Sequence, residues 1–365
     1  MTAPLREELR GLEPYGAPQL DVPVLLNVNE NPYPPSAAVV ADIERSVAAA
    51  ARDLNRYPDR EFTGLREALA THLGHGLNAE RIWAANGSNE VMLHLLQAYG
   101  GPGRLALSFA PTYSMYPEYA RDTHTAWEVG HREQDFAIDL DRALELVRAR
   151  RPSVVLLPSP NNPTGTALPA STISALCDEL AGDPRGGLLV VDEAYAEFRR
   201  EGTPSALELL PRHPNLVVTR TMSKAFALAG ARVGYLAAAP EICDGLRIVR
   251  LPYHLSAVTQ AVALAALRHS GELLAAVDRL RVERDATVEW LRGQGFEVAD
   301  SDANFVLFGR FDDRHAVWEG LLAHGVLVRE TGPDGWLRVS IGTPAEMAAF
   351  RTALTAVTQT SEAHR

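Results

Sequence analysis

The order of apolar and polar positions along the chain predicts its secondary structure. Residues 37–54, AAVVADIERSVAAAARDL, have a helical pattern, whereas the 35 residues before them are rich in Pro and Asn and favour an extended arm. From about residue 80, short strand-like runs alternate with helical segments. This alternation predicts a parallel sheet covered by helices.

The pattern changes after about residue 250. Helices are predicted over 257–269, 273–295 and 343–357, and strands over 296–310, 325–330 and 335–342. The closing helix has Thr343 as its predicted N-cap and Glu346 three residues later, as in a capping box. We therefore expect an N-terminal arm over 1–35, a large domain over 36–250 and a small α+β domain over 251–365.

Composition narrows the choice of partners and compartment. The chain has 365 residues, of which 46% are hydrophobic and 22% charged, as in an ordinary globular protein long enough for two domains. A net charge of −11 argues against nucleic acid or an anionic membrane as the main partner. No apolar run reaches the length of a membrane span, and residues 1–16 lack the apolar core of a signal peptide. Two cysteines, Cys177 and Cys243, are too few for a disulfide framework, so we expect a cytoplasmic protein.

Polar residues end four of the strand-like runs. The run ends carry Tyr113, then Asn161 and Asn162, then Asp192 and Tyr195, and finally Thr221, Ser223 and Lys224. Ligands of open α/β sheets bind beyond the carboxyl ends of the strands. The pattern therefore predicts one ligand site, built from residues more than 100 positions apart in the chain. His72 and His75 have no carboxylate or cysteine partner nearby, so no metal site is predicted.

Lys224 is the only lysine among 35 Lys and Arg residues. An amine can lose its proton and bond an aldehyde, whereas a guanidinium group stays protonated. Thr221 and Ser223 precede Lys224, and Arg232 follows it eight residues later. An amine, two hydroxyls and an arginine suit an aldehyde that also carries a phosphate, which indicates pyridoxal 5′-phosphate as cofactor.

The other strand ends supply groups for the rest of this cofactor. Asp192 would keep the pyridine nitrogen protonated, so that the ring accepts electrons. Asn162 and Tyr195 would bond the phenolic oxygen, and Tyr113 would stack on the ring.

A helix start is predicted within residues 84–96, AANGSNEVMLHLL. Ser88 and Asn89 would lie at its N-terminus. Free N–H groups and the helix dipole favour a phosphate there.

Three segments in this order and spacing resemble the signature of fold type I pyridoxal-phosphate aminotransferases: NNPTG (161–165), DEAY (192–195) and SKAFALAGARVGY (223–235). The resemblance implies an α/β fold, with a mostly parallel sheet of the seven-stranded type in the large domain and a smaller α+β C-terminal domain. It also implies that Lys224 is catalytic, moving a proton from the substrate Cα, in a ping-pong exchange between an amino donor and a 2-oxo acid.

Further segments resemble the histidinol-phosphate aminotransferase family, namely LNVNENPYPPS (26–36), RYPD (56–59), PTYSMY (111–116), GVLVRE (325–330) and LRVSIGTP (337–344). The implied reaction interconverts L-histidinol phosphate and 2-oxoglutarate with imidazole acetol phosphate and L-glutamate, in histidine biosynthesis. Two positions depart from the commoner pattern. Pro34 is followed by Pro35 where Gly-Pro is usual. Asn89 stands where many relatives have Asp, so the resemblance does not determine how Asn89 would hydrogen-bond at the phosphate site.

This narrower resemblance also implies roles for five more residues. Tyr57 would reach across the interface of a homodimer to the cofactor phosphate of the neighbouring subunit. Arg329 and Arg338 would bind the anionic end of the substrate. Tyr15 and Asn29 would line the substrate side, with Tyr15 on a segment that closes over it.

The sequence leaves other functions open. The pocket for the imidazole ring is not visible in the sequence, so an aminotransferase of phenylalanine or tyrosine is the nearest alternative. A related decarboxylase of phosphorylated amino acids is a second alternative. A non-catalytic cofactor-binding protein, as in some transcription regulators, would carry a basic DNA-binding segment, which is absent before residue 36. A dehydrogenase is disfavoured because no G-x-G-x-x-G follows a strand.

Overall fold

We describe the fold from a computed structural model of the chain, which describes residues 3–362. The helices are α1 Ala37–Ala51, α2 Thr63–Leu73, α3 Ser88–Tyr99, α4 Tyr116–Asp122, α5 Leu140–Arg150, α6 Ala170–Gly182, α7 Pro240–Val249, α8 Ala257–Arg268, α9 Ser270–Gly293, α10 Arg314–Ala323 and α11 Pro344–Glu362. The strands are β1 Val24–Leu25, β2 Ile82–Ala85, β3 Leu105–Ala110, β4 Ala126–His131, β5 Val154–Pro158, β6 Leu188–Asp192, β7 Leu216–Thr221, β8 Gly234–Ala237, β9 Glu297–Val298, β10 Phe305–Gly309, β11 Val326–Leu327, β12 Arg329–Glu330 and β13 Trp336–Ser340.

Seven strands form the large sheet, in the order β2-β8-β7-β6-β5-β3-β4. Strand β8 runs antiparallel to both of its neighbours, and the other pairings are parallel. Every residue of β5, β6 and β7 is buried, as expected for central strands with helices on both faces. The predicted mostly parallel sheet is confirmed.

A second, antiparallel sheet has the order β12-β13-β10-β9. Its core contains Phe305, Phe308 and Leu337, together with Phe350 of the closing helix α11. The side chain of Thr343 accepts the N–H of Glu346, and the Glu346 carboxylate accepts the N–H of Thr343. These reciprocal bonds form the predicted capping box before α11.

The N-terminal arm is more structured than the sequence indicated. A short 3₁₀ turn covers Glu7–Leu9, and β1 pairs in parallel with β11. The predicted strand over 325–330 is split in two, because β11 pairs with β1 whereas β12 pairs with β13. The arm is thereby attached to the C-terminal part of the chain.

Helix α8 packs against α1 and α2, and its buried Ala263 and Leu267 belong to the core beside the large sheet. The domain division at residue 250 stays a prediction. Residues 1 and 2 of the predicted arm and 363–365 of the predicted small domain lie outside the described residues. Among the described helices, none is both long and apolar enough to cross a membrane.

A buried ion pair joins the ends of β6 and β7. The Glu193 carboxylate contacts the Arg220 guanidinium at 2.6 Å and accepts hydrogen bonds from the Ser205 hydroxyl and the Ala206 N–H. The side chains of Glu193 and Arg220 are 2% and 9% exposed. Because Glu193 directly follows Asp192, this pair holds the end of the strand that carries Asp192.

We expect Arg220→Met to lower the free energy of unfolding by roughly 3–5 kcal/mol, since it leaves a buried carboxylate without its main partner. Adding Glu193→Gln should restore part of that loss. Urea unfolding followed by circular dichroism measures both values. Arg148→Met is the matched control, because its ion pair with Glu179 is exposed and should cost less than about 1 kcal/mol. Equal costs for Arg220→Met and Arg148→Met would contradict the expectation.

Candidate active site

A cavity of about 450 Å³ lies at the carboxyl ends of β5, β6 and β7. It is closed from one side by the N-terminus of α3 and from the other by the β12–β13 pair and the N-terminal arm. Fourteen of the residues that we singled out from the sequence line it: Tyr15, Asn29, Ser88, Asn89, Tyr113, Asn162, Asp192, Tyr195, Thr221, Ser223, Lys224, Arg232, Arg329 and Arg338. The fold thus brings together residues that are far apart in the chain, as the strand-end pattern predicted.

Lys224 follows β7 in a tight turn, in which the Ala227 N–H donates to the Lys224 carbonyl. Its Nζ donates to the carbonyl oxygen of Val28 at 2.8 Å. Burial lowers the pKa of the Lys224 amine to about 8, and the positive charge of Arg338 acts in the same direction. A lysine with this pKa is neutral, and therefore nucleophilic, at a pH where ordinary lysines are protonated.

The start of α3 is built to receive an anion. Gly87 precedes the helix with φ +86°, and no side chain caps the free N–H groups of the first turn. A Cβ at Gly87 would overlap the Arg232 guanidinium, and a Cβ at Gly234 would overlap the backbone of Gly87 and Ser88. The two glycines therefore allow the arginine and the helix N-terminus to approach each other closely.

Two hydroxyls complete this end of the cavity. Arg232 Nη1 donates to Ser223 Oγ at 3.3 Å, and Thr221 Oγ1 donates to Ser223 Oγ at 3.0 Å. Guanidinium, hydroxyl and helix N–H donors converge here, which is the donor set that a phosphate monoester requires.

Asp192 ends β6 with only 6% of its surface exposed. Its Oδ1 accepts a hydrogen bond from Thr219 Oγ1 at 3.0 Å, and its Oδ2 accepts one from the Tyr116 hydroxyl at 3.2 Å. Burial raises the pKa of the Asp192 carboxyl to about 6, against these hydrogen bonds, which lower it. Tyr116 and Thr219 were not among the residues that the sequence singled out. The available signals were weak: a second tyrosine in PTYSMY and a polar residue inside an apolar strand.

Two side-chain amides lie within hydrogen-bond distance of the Tyr195 hydroxyl. Asn29 Nδ2 donates to it at 3.0 Å, and Asn162 Nδ2 lies at 3.4 Å. Ser340 Oγ donates to Asn29 Oδ1 at 2.9 Å. Asn29 thus lines the cavity, but its amide bonds Tyr195 and Ser340 in this structure.

Two arginines face the cavity from neighbouring strands. Arg329 of β12 and Arg338 of β13 are direct cross-strand partners, so their side chains leave the same face of the sheet. Arg338 is buried and donates to Asn27 O at 2.8 Å and to Asn162 Oδ1 at 2.5 Å. Burial lowers the pKa of Arg338 to about 10, and the charge of Arg329 acts in the same direction. Like charges placed opposite each other destabilise a sheet, and an anionic ligand would relieve that repulsion.

The arm contributes Tyr15, whose hydroxyl is 2.7 Å from Ser114 Oγ at the cavity mouth. Tyr113 packs edge to face on Tyr116, with ring centroids 5.5 Å apart. The predicted Tyr57 is the exception to this arrangement. It does not line the cavity of its own chain, is 80% exposed and stacks on Tyr253 with ring centroids 4.4 Å apart.

The donor set fits pyridoxal 5′-phosphate. The cavity offers an amine of lowered pKa, a buried carboxyl group at the end of the neighbouring strand β6, and an anion site at α3 that side chains at Gly87 and Gly234 would block. Within residues 3–362, no cluster of three or more His, Cys, Asp or Glu side chains is arranged to hold a metal ion.

Comparison with known proteins gives consistent matches over nearly the whole chain. The family described as aminotransferase class I and II matches residues 22–354. A histidinol-phosphate aminotransferase of Thermobifida fusca is 63% identical over 355 residues, covering 97% of this chain and 95% of its own. Histidinol-phosphate aminotransferase 3 of Burkholderia lata is 61% identical, covering 96% and 95%.

Solved structures have the same fold. The histidinol-phosphate aminotransferase of Sinorhizobium meliloti, in complex with pyridoxal-5′-phosphate, superposes with a TM-score of 0.87 at 25% identity and covers 99% of both chains. The aspartate aminotransferase of Thermus thermophilus with maleate gives a TM-score of 0.77 at 25% identity, covering 91% of this chain and 90% of its own.

We expect Lys224 of the cofactor-free protein to react with trinitrobenzenesulfonate with a pH midpoint near 8, instead of the ordinary lysine value of 10.5. The unprotonated amine is the reactive form, so the rate rises as the pH passes through the lowered pKa. Peptide mapping of the modified protein measures the rate at Lys224 alone. Lys224→Arg removes the only lysine and reports the N-terminal amine as background. A midpoint near 10.5 would mean that the amine is not perturbed.

Proposed function

The chain belongs to the class I and II aminotransferases, and on that premise we propose that it interconverts L-histidinol phosphate and 2-oxoglutarate with imidazole acetol phosphate and L-glutamate, with pyridoxal 5′-phosphate as cofactor. The relatives that are 63% and 61% identical to it are named histidinol-phosphate aminotransferases. The reaction belongs to histidine biosynthesis. The observation that carries the proposal is the pair of cross-strand arginines in the cavity of Lys224.

We assign the cofactor contacts as follows. Lys224 would bond the aldehyde carbon. The phosphate would be held by Ser88, Asn89, Thr221, Ser223 and Arg232, which surround the N-terminus of α3. Tyr195 and Asn162 would hold the phenolic oxygen, Asp192 would hold a proton at the ring nitrogen, and Tyr113 would cover the ring face. When bound, the cofactor supplies an electron sink for the negative charge that develops at the substrate Cα.

Lys224 is the proposed general base. Its pKa of about 8 gives a substantial neutral fraction near physiological pH, so the amine can take the proton from the substrate Cα and return it to carbon. Arg338 and Arg329 orient the substrate by its anionic end, and Tyr15 and Asn29 close the same side of the cavity. The same base then serves both half-reactions of a ping-pong exchange.

The arginine pair favours a phosphate ester. A phosphate monoester carries close to two negative charges at neutral pH, with three acceptor oxygens. It can therefore neutralise both Arg329 and Arg338, whose like charges the fold places on one face. Each carboxylate of glutamate or phenylalanine carries only one negative charge, so it neutralises this pair less completely than a phosphate does.

We expect L-histidinol phosphate to change the absorbance spectrum of the cofactor-loaded protein at much lower concentration than L-phenylalanine. Arg329→Gln should weaken the response to L-histidinol phosphate roughly 10- to 100-fold, because a hydrogen bond between charged groups is lost, and should weaken the response to phenylalanine less. Titrations with both compounds and L-glutamate measure these values. Arg292→Gln is the control, because Arg292 pairs with Asp300 on the surface. A stronger wild-type response to phenylalanine would instead indicate an aromatic aminotransferase.

We further propose that the chain acts as a homodimer in which Tyr57 completes the neighbouring subunit's phosphate site. Around Tyr57 the exposed apolar side chains are Leu54, Ile248, Leu251 and Tyr253. Arg247 and Arg250 form ion pairs with Glu61, so the end of α7 packs against the loop that carries Tyr57. Exposed apolar side chains on segments that pack together in this way are typical of a protein interface.

Mixed dimers test this arrangement. A dimer of Lys224→Arg with Tyr57→Ala should recover roughly half of the wild-type turnover, because one of its two sites then has both Lys224 and the partner's Tyr57. The control dimer pairs the Lys224→Arg, Tyr57→Ala double variant with wild type, and it should contain no complete site. Recovery in the control dimer alone would mean that Tyr57 serves its own chain.

We place the reaction in the cytoplasm, with small molecules as the only substrates. Cys177 and Cys243 are both free and buried, which fits a reducing compartment. The net charge of −11 disfavours nucleic acid as a partner.

A further inference from the structure

We propose that Tyr116 and Thr219 are positioning residues that keep the Asp192 carboxyl group ionised and oriented toward the ring nitrogen of the cofactor. The identity of the group that Asp192 meets rests on the proposed function. The contacts of Tyr116 and Thr219 with Asp192 lie within the chain itself.

Each oxygen of the Asp192 carboxylate has its own hydroxyl donor. Thr219 Oγ1 donates to Oδ1 at 3.0 Å, from the position on β7 directly beside Asp192. The Tyr116 hydroxyl donates to Oδ2 at 3.2 Å, from the first residue of α4. Tyr116 and Thr219 are both 0% exposed. These two hydroxyls, one on each oxygen, act together with the backbone N–H of Ala194 to fix the plane of the carboxyl group.

No arginine, lysine or histidine in the described part of the chain forms an ion pair with Asp192 within 4.0 Å. Lys224 and Arg338 line the same cavity but bond to Val28, and to Asn27 and Asn162. The titratable groups that interact electrostatically with Asp192 are Glu193, Tyr113, Tyr116, Tyr119 and Tyr195, and Arg132 lies near Tyr116.

Neutral donors suit this position better than a cation would. A carboxylate that is already paired with an arginine has little charge left to stabilise a protonated pyridine nitrogen. Hydroxyl groups lower the cost of the buried negative charge without cancelling it. The positive partner must then come from the ligand.

Tyr116 is a permanent donor. Burial, together with the charge of Asp192, holds the pKa of Tyr116 well above its usual value. Its hydroxyl therefore stays protonated over the whole pH range in which Asp192 titrates. Burial and the neighbouring charge of Glu193 raise the pKa of Asp192 to about 6, and the two hydroxyls and the Ala194 N–H act in the opposite direction.

The first experiment uses the cofactor-free protein, labelled with ¹³C at the aspartate carboxyl carbons. We expect Asp192, identified by loss of its signal in Asp192→Asn, to titrate with a midpoint of about 6. Tyr116→Phe and Thr219→Val should each raise this midpoint by about one, because each removes a hydrogen bond to the charged form. Tyr119→Phe and Thr219→Ser should leave it in place. Tyr119 lies buried on the same helix without a bond to Asp192, and serine keeps the hydroxyl.

The second experiment loads each variant with pyridoxal phosphate labelled with ¹⁵N at the ring nitrogen. The wild-type and Tyr119→Phe signals should lie at the protonated position near neutral pH, and the Tyr116→Phe and Thr219→Val signals should move toward the unprotonated position. Unchanged midpoints and unchanged ¹⁵N shifts in these two variants would overturn the proposal, as would equal changes in the controls. Failure of the proposed function would instead appear as no binding of pyridoxal phosphate by the wild type, and the cofactor-free titration would still decide the role of the hydroxyls.

Discussion

Two buried charged side chains, Asp192 and Arg338, and the partly buried Lys224 lie around one cavity, and within residues 3–362 none of the three has an ion-pair partner of opposite charge. Burying an unpaired charge is among the costliest features that a fold can contain. The surrounding structure has to supply neutral donors and acceptors in place of counter-charges. Val28 O accepts from Lys224, Thr219 and Tyr116 donate to Asp192, and Asn27 O accepts from Arg338.

Among the described residues at the ends of β6 and β7, charges without an ion-pair partner lie on the cavity side of the sheet. The next residues along the same strands, Glu193 and Arg220, form an ion pair. Successive side chains of a strand point to opposite faces. Asp192 lines the cavity and Thr219, its register partner, contacts it, whereas Glu193 and Arg220 do not line the cavity. Glu193 and Arg220 form a fully compensated pair with Ser205 at 2.6–3.1 Å. On one face of the sheet, the side chains at the ends of β6 and β7 therefore stabilise the fold. On the other face, burial shifts each pKa toward the neutral form, to about 8 for Lys224 and about 6 for Asp192.

Much of this site follows from local sequence, and the remainder depends on contacts that local sequence does not encode. The period of the apolar runs predicts where β5, β6 and β7 end, and the carboxyl ends of parallel strands meet at one edge. Lys224 and Asp192 were predictable for that reason. Tyr116 contacts Asp192 across 76 positions, and Asn29 contacts Tyr195 across 166. Neither pairing leaves a periodic signal, because each depends on how α4 and the arm pack onto the sheet. Tyr57 was suggested only by resemblance, and its place outside the cavity of its own chain is visible only in three dimensions.

The arm explains how the two cations can remain unpaired before a ligand binds. Residues 27 and 28, which are adjacent in the arm, accept hydrogen bonds at their carbonyl oxygens from Arg338 and Lys224, respectively. A carbonyl dipole stabilises a cation less than a carboxylate does, so an incoming anion competes on favourable terms for the same donors. Arg338 also has a buried Nε–H without a partner among the described residues, which makes one donor available without breaking a bond. Because β1 joins this segment to β11, the arm places these dipoles from a fixed position beside the small sheet. Attachment of the arm therefore makes burial of the two cations possible. The carbonyl groups of the arm stabilise these cations partly, and a bound anion would supply the remaining stabilisation.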